Sequence, residues 1–180
     1  FNFDPIEDIQ VLTPMQKGPL GARALNTLLQ QAQNPHLAQG IERYGQRFAV
    51  GDKVLQTLNN YDKNIFNGDL GRIEHIKRKN KTLHILFETR SIEYGFNELD
   101  EISLAYATTI HKAQGSEFPT VILPIAMSHF MLLERHLLYT GVTRGRKLVV
   151  LVGERRAIKL ATQTDRAGER HTTLAERLQT

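Results

Sequence analysis

The sequence predicts an α/β protein in which a parallel-sheet domain is interrupted by a small β-barrel. Three observations carry that prediction. Strand-like apolar runs alternate with helix-period stretches at both ends of the chain, the pattern of strand–helix–strand units. The run Leu148-Val149-Val150-Leu151-Val152 contains no polar residue, as expected of a strand buried on both faces of a parallel sheet. Between about residues 48 and 99 the texture changes to short β-branched or aromatic runs punctuated by turn residues, the pattern of a small barrel.

Taken in order, Ile9-Gln10-Val11-Leu12 reads as a buried strand closed by Thr13-Pro14. After a Lys17-Gly18-Pro19 loop, Leu20, Ala24, Leu25, Leu28 and Leu29 recur at helical spacing. They predict an amphipathic helix with a leucine face that fades near Asn34-Pro35. In the central stretch, Lys53-Val54-Leu55-Gln56 follows a Val50-Gly51-Asp52 turn, and Gly71-Arg72-Ile73 follows Asn67-Gly68-Asp69. Asn80-Lys81 then separates Glu74-His75-Ile76-Lys77 from Leu83-His84-Ile85-Leu86-Phe87, a hairpin pattern, and 91–96 supplies the fifth strand. So small a unit buries no large core alone and reads as an insert. The α/β pattern resumes with a strand at 103–108, a helical turn at 111–114 and a buried strand at 120–124. A helix at 131–138 follows, with Leu132, Leu133, Leu137 and Leu138 as its apolar face, then the 148–152 strand and a helix at 154–161. The expected division is a discontinuous α/β domain at 1–47 and 100–165, the insert at 48–99, and a loose tail at 166–180.

A length of 180 residues suits one domain with an insert better than two full domains, and 41% hydrophobic content supports a real core. The apolar run at 121–125 is strand-sized, so no membrane partner is expected. Absence of cysteine excludes disulfide scaffolds, thiolate zinc sites and thiol nucleophiles together. No signal-peptide pattern opens the chain, which makes the cytoplasm the expected location, and Phe1 in place of Met suggests a piece of something longer. The net charge of +4 is uneven: residues from Glu134 onward carry +5 and the remainder −1. A second basic cluster is Arg72, Lys77, Arg78, Lys79 and Lys81. Such patches favour polyanions, but for charge runs alone a solvated, salt-bridged surface is the better explanation, so charge only supports the case.

Two segments carry chemistry. In the first, Ala107-Thr108-Thr109-Ile110-His111-Lys112-Ala113-Gln114-Gly115-Ser116-Glu117-Phe118, a strand ends in hydroxyls, a histidine and a lysine and then turns at Gly115. Strand C-termini of open α/β sheets are where ligands bind, and Thr and His donors beside exposed N–H groups suit phosphate. Glu117 is placed to accept from a ribose hydroxyl. An ordinary polar loop explains the threonines and the glycine, but not the whole density. In the second, Tyr139-Thr140-Gly141-Val142-Thr143-Arg144-Gly145-Arg146-Lys147 sets three cations at a helix end. The macrodipole alone favours cations there; the same arrangement also suits an arginine reaching a triphosphate across an interface.

LAYATTIHKAQGSEFPTVILP at 104–124 and LLYTGVTRGRKLVVLVGE at 137–154 resemble motifs V and VI of superfamily 1 DNA helicases, most closely the RecD-like branch. IQVLTPMQKGPLGARALNTLLQ at 9–30 and FAVGDKVLQTLNNYDKNIFNGDLGRI at 48–73 agree with that branch. The resemblance covers nearly the whole chain except its last fifteen or so residues. It implies a second RecA-like motor domain carrying an SH3-like barrel, and a parent that couples ATP hydrolysis to movement on single-stranded DNA, 5′ to 3′. It further implies that Arg144 is the arginine finger toward the γ-phosphate, with Gln114, Gly115 and Glu117 near phosphate and ribose. Thr109 and His111 fall at positions expected to touch the DNA backbone, and Thr13 and Lys17 lie on a further strand-end loop approaching it. Lys77, Arg78, Lys79 and Lys81 form a basic hairpin suited to DNA. Gly141 and Gly145 depart from the family pattern and are expected to loosen the local helix.

No Gly-Lys dipeptide occurs, so the chain has no P-loop to cradle phosphates. ATP and Mg²⁺ would therefore be held mainly by an N-terminal motor domain of the same parent chain, and this chain alone is expected to be inactive. The arginine-containing motif IV is not visible upstream of Ile9 either, which suggests that the cut falls inside the second domain. Other exonuclease V subunits are expected partners by the same resemblance. Two alternatives stay open: a non-catalytic single-strand binding module built on the barrel, and the helicase portion of a conjugative relaxase. His75 and His84 are expected to face each other without carboxylate company, and His129, His136 and His171 show no ligand spacing, so no metal site is expected. Tyr61, Phe66 and Tyr94 suit base stacking, but a small barrel is expected to use them as core.

Overall fold

Phe118–Ile125, the strand that reads as buried, does form the middle of a parallel sheet in the computed structural model, which describes residues 2–165. The tail at 166–180, and with it His171, lies outside the described residues. Strand β1 (Ile9–Thr13) leads through a loop to α1 (Ala22–Gln33). A hairpin of β2 (Ile41–Arg43) and β3 (Gln46–Phe48) follows, then β4 (Lys53–Gln56), β5 (Leu70–Lys77), β6 (Thr82–Phe87), β7 (Arg90–Gly95) and β8 (Ile102–Leu104). The α/β part resumes with β9 (Ala107–Thr109), β10 (Phe118–Ile125), α2 (Arg135–Val142), β11 (Gly145–Gly153) and α3 (Arg155–Gln163).

The parallel sheet runs β11-β10-β1-β9. Its core gathers Leu12, Val121, Leu123 and Ile125 against Ile110, Leu133 and Leu137, with Ala157 and Ala161 of α3 closing one side. The 148–152 run is a strand as expected, but it is an edge strand and not buried on both faces: Val152 is 53% exposed. Five consecutive apolar residues record β-propensity and say nothing about how many neighbours the strand has. The expected helix at 131–138 is also divided. A 3₁₀ segment spans Met127–Leu132, the backbone extends at Leu133 and Glu134, and α2 starts at Arg135. Leu133 is buried at that break, between two pieces that its helical spacing had joined.

The barrel is a five-stranded antiparallel sheet in the order β7-β6-β5-β4-β8. Alternation in β6 points Leu83, Ile85 and Phe87 inward, against Ile73, Tyr94 and Ile102. Gly71 lets β5 pass over them, since a Cβ there would sit 2.6 Å from Ile85 Cγ2. The core of this unit is larger than expected, because Ile41, Ile102, Leu104 and Tyr106 from the flanks join it. The expected strand at 103–108 is two strands. Ile102–Leu104 pairs with β4 in the barrel, and Ala107–Thr109 pairs with β1 in the parallel sheet. Ala105 and Tyr106 carry the chain across, and unbroken β-propensity hides that change of partner.

Beside the apolar packing of Ile6 and Leu29 on the barrel core, polar contacts join the two units. Helix α1 buries Ala22, Asn26 and Gln30, one i, i+4, i+8 stripe, and leaves Leu28 58% exposed, so the expected leucine face is not the buried one. Asn26 bonds Ala107 through both amide atoms, its Nδ2 donating to the carbonyl and its Oδ1 accepting from the N–H, each at 2.8 Å. Gln30 Nε2 donates to Asp52 Oδ2 and Asn34 Nδ2 to Asp52 Oδ1, both at 2.6 Å. Asp52 also accepts from Ala49 N at 2.7 Å and Tyr106 Oη at 2.8 Å. Buried polar groups must find such partners, and here they tie α1 both to β9 of its own unit and, through the Leu104 carbonyl at 3.0 Å and Asp52, to the barrel.

Lys53, next to Asp52, holds a different motor element. Its Nζ donates to the Ile6 carbonyl at 2.9 Å and faces the Ile9 carbonyl at 3.4 Å. Burial pushes its pKa down from 10.5 to about 8, against the pull of Glu7, Asp4 and Asp8. Below about pH 8 both folded and unfolded states carry the charge, and the full cost of burying it stands. Between the two values the unfolded chain binds more protons than the folded one, so stability rises with pH. The urea-midpoint difference between wild type and Lys53→Met is therefore expected to move in favour of wild type by about 3 kcal/mol across that window. A flat difference would show that the ammonium is solvated in the folded state.

Candidate functional site

Strand β9 ends at the turn that the sequence marks as chemical. Ile110 N donates to the Thr13 carbonyl at 3.0 Å, fixing the start of the turn against the end of β1. His111, Lys112, Gln114 and Gly115 are exposed, while Ala113 is buried and anchors the turn in the sheet core. Gly115 has φ +88 with open space around a Cβ, so the constraint is conformational and a side chain there is strained.

On one flank of this turn stands the arginine cluster. Arg144 follows α2, and its guanidinium donates to the carbonyls of Thr140 and Ser116, each at 3.2 Å, and to Thr143 Oγ1 at 3.1 Å. Arg146 Nε meets Glu117 Oε2 at 2.7 Å. Of the predicted nucleotide group of Gln114, Gly115, Glu117 and Arg144, two adjacent loops thus bring together Gly115, Glu117 and Arg144, while Gln114 lines a neighbouring cleft. Arg146 is an additional member that motif reading left out. Gly141 and Gly145 do not loosen the helix. A Cβ on Gly141 would lie 2.9 Å from Leu123 Cδ2, and one on Gly145 would lie 2.4 Å from Val149 Cγ2. Both glycines let the α2–β11 segment seat closely on the sheet.

On the other flank lies a groove between the barrel and the sheet, made of two adjoining clefts of about 730 and 600 Å³. Leu55, Thr57 and Lys112 line both. The larger cleft runs between α1 and the β2–β3 hairpin and carries Arg23 and Arg47; the smaller takes in His111, Gln114 and Ser116. His111 and Gln114 therefore face the groove, while Thr108 lines it in place of Thr109, whose hydroxyl accepts from Lys112 N at 3.3 Å. These groove residues come from distant parts of the chain, and no local motif marks them as a set.

Five further expected DNA contacts are placed differently. Thr13 is fully buried and its hydroxyl donates to the Leu20 carbonyl at 2.6 Å, so it shapes its loop and offers no contact of its own; Lys17, on the same loop, is exposed. Arg78 Nη2 is spent on the carbonyls of Gln39 and Gly40, at 2.6 and 3.0 Å. Lys77, Lys79 and Lys81 are exposed, at the far end of β5 from the loop at 67–69 that lines the smaller cleft. At about 3.3 Å per residue that is about 20 Å or more from that cleft, and the hairpin instead lies near the Leu37 end of the larger one, where Arg78 bonds Gln39 and Gly40. His75 and His84 do pair across the hairpin, with ring centroids 6.4 Å apart, and they have carboxylate company after all, since Glu93 Oε2 lies 3.0 Å from His84 Nε2. Among the described residues no cluster of three His, Cys, Asp or Glu is placed to hold a metal ion, and no helix is long and apolar enough to cross a membrane. Of the three aromatics only Tyr94 is core; Tyr61 and Phe66 are exposed.

A family model described as the ATP-dependent RecD-like DNA helicase SH3 domain matches residues 25–87. Another, described as the UvrD-like helicase C-terminal domain, matches residues 104–152. The chain is 39% identical over 175 residues to the ATP-dependent RecD2 DNA helicase of Deinococcus radiodurans, covering 94% of this chain and 23% of that protein. It is 31% identical over 147 residues to the RecBCD enzyme subunit RecD of Buchnera aphidicola subsp. Schizaphis graminum, covering 77% and 23%. The Pif1 helicase from Bacteroides, solved in complex with ADP-AlF3 and ssDNA, superposes with a TM-score of 0.57 at 16% identity over 93% of this chain and 44% of that one, a likeness of fold. The chain spans about a quarter of the length of the curated relatives it matches.

Proposed function

The chain belongs to the RecD-like branch of superfamily 1 DNA helicases as part of their C-terminal motor domain, and from that premise we propose that it supplies the arginine finger and part of the DNA track of an ATP-driven translocase. In this reading residues 1–47 and 100–165 form the second motor domain, and 48–99 the inserted barrel, which borrows β2, β3 and β8 from its flanks. The observation that carries the reading is the turn at 110–117. Its His111, Lys112 and Gln114 face the groove, while its Ser116 carbonyl and Glu117 carboxylate hold Arg144 and Arg146. A shift of this turn on nucleotide binding would be felt at once in the groove, the coupling a translocase needs.

The donor set fits a phosphate and not the metal. Arg144 and Arg146 are cations held against the 110–117 turn, whereas the neighbouring carboxylate, Glu117, is engaged by Arg146. ATP and Mg²⁺ are accordingly assigned mainly to an N-terminal motor domain of the parent chain, and the present chain alone is expected to turn over no ATP. Single-stranded DNA is the proposed occupant of the groove, with 5′ to 3′ movement resting on family resemblance. Kinship with RecD subunits of RecBCD enzymes makes other exonuclease V subunits reasonable partners.

The groove assignment is tested with charge reversals in the full-length protein. Lys112→Glu and Arg47→Glu are expected to weaken single-strand binding and to lower the salt dependence by about 0.7 per lost phosphate contact. Reversal of Lys77 and Lys79 is expected to do much less. The opposite ranking would move the DNA to the basic hairpin and favour the stand-alone binding module.

A further inference from the structure

The β4–β5 loop leaves the groove at Thr57 and re-enters it at Asn67-Gly68-Asp69, so both of its feet line the proposed DNA track. Between them it displays Tyr61, 76% exposed, and Phe66, 41% exposed, with ring centroids 6.1 Å apart. Exposed aromatics on a slack loop would mean little. This loop is held. Ile65 is fully buried in the barrel core, and Asn60 and Ile65 exchange backbone hydrogen bonds at 2.8 and 3.0 Å. Asn60 Nδ2 donates to Glu101 Oε2 at 3.0 Å, Lys63 pairs with Glu98 at 2.7 Å, and Asp69 Oδ2 accepts from Phe66 N at 2.8 Å. Both rings are thus presented from a fixed backbone at the lip of a polar groove.

We infer that this loop is a base-stacking lip, on which Phe66 and Tyr61 take unpaired bases as the strand leaves the groove. The inference rests on the proposal that the groove carries single-stranded nucleic acid. A sugar-phosphate chain seated among Lys112, Arg47 and the groove hydroxyls turns its bases away from those cations, and every base offers a π-face that an aromatic ring receives without regard to sequence. Because the backbone of the loop is already ordered, little ordering is lost on binding. Affinity from this lip is independent of base identity and of salt, whereas affinity from the groove is salt-dependent.

The experiment compares the full-length protein with its Tyr61→Ala/Phe66→Ala double variant. Each is titrated with oligo-dT and with an abasic sugar-phosphate chain of the same length, by fluorescence anisotropy at several salt concentrations. Wild type is expected to prefer oligo-dT. The double variant is expected to lose roughly tenfold or more on oligo-dT, little on the abasic chain, and nothing in salt slope. Tryptophan at both positions is expected to restore binding, which a folding defect would not allow. A double variant that binds oligo-dT as wild type does overturns the lip and leaves the patch to a protein partner, with the groove reading intact. Wild type that binds neither chain overturns the groove reading itself, and the lip with it.

Discussion

Arg144→Ala in the full-length protein is expected to lower single-strand-stimulated ATP hydrolysis by roughly 10³–10⁵, while single-strand affinity stays near wild type. The magnitude is that of an arginine finger in comparable phosphoryl-transfer enzymes. The separation of the two effects follows from the groove lining, which does not include Arg144. Arg144 here bonds two carbonyls and a hydroxyl of its own loops. Exchanging neutral acceptors worth about 1 kcal/mol each for a phosphate is favourable, so this arrangement is a resting position from which the side chain can be recruited. The same bonds are too weak for their loss to unfold the domain, which makes a failure of turnover readable as chemistry. Arg144→Lys is expected to recover little, because a point charge does not reproduce the planar fork. Wild-type turnover by Arg144→Ala would remove the arginine-finger assignment. Absence of DNA stimulation in the wild-type parent would remove the motor reading altogether.

What was legible in the sequence is what depends on contiguous residues. Strands β1 and β10 and the β5–β6 hairpin announce themselves through apolar alternation and an Asn80-Lys81 turn, and the 107–118 and 139–147 segments carry their chemistry in unbroken order. Three things were hidden, each for a physical reason. The buried face of α1 is Asn26 and Gln30 because crossing strands present carbonyls and a carboxylate there, and hydrophobic periodicity cannot see polar burial. The 103–108 run divides between two sheets because strand propensity is the same whichever partner is met. The placement of the basic hairpin is a matter of length along β5, which no charge count contains. For the site, Arg146 could have been found by asking what neutralises Glu117 at a phosphate-binding turn. The groove could not, since Arg47, Thr57 and Lys112 meet only after the barrel has docked.

That docking depends on one carboxylate, and Asp52→Ala is the second change expected to have a large effect. Asp52 is fully buried and accepts from Gln30, Asn34, Ala49 N and Tyr106. Burial pushes its pKa up, and the hydrogen bonds from Asn34, Ala49, Tyr106 and Gln30 pull against that shift. Alanine leaves Ala49 N and Tyr106 Oη without an acceptor, and Gln30 and Asn34 with only the carbonyls of Arg47 and Val50, a loss of about 2 kcal/mol or more at about 1 kcal/mol or more per unsatisfied group. Asparagine is expected to help little, because its amide nitrogen would face two of the donors. Tyr106→Phe removes a single donor and should cost only about 1 kcal/mol. Urea midpoints of the three variants read out that order. Gln30 is also part of the groove wall, so releasing α1 from the barrel should weaken single-strand binding together with stability, in contrast to Arg144→Ala, which should touch neither. If Asp52→Ala kept the wild-type midpoint, the apolar contacts of Leu29 and Phe48 would have to hold the barrel in place, and the polar stripe on α1 would need another purpose.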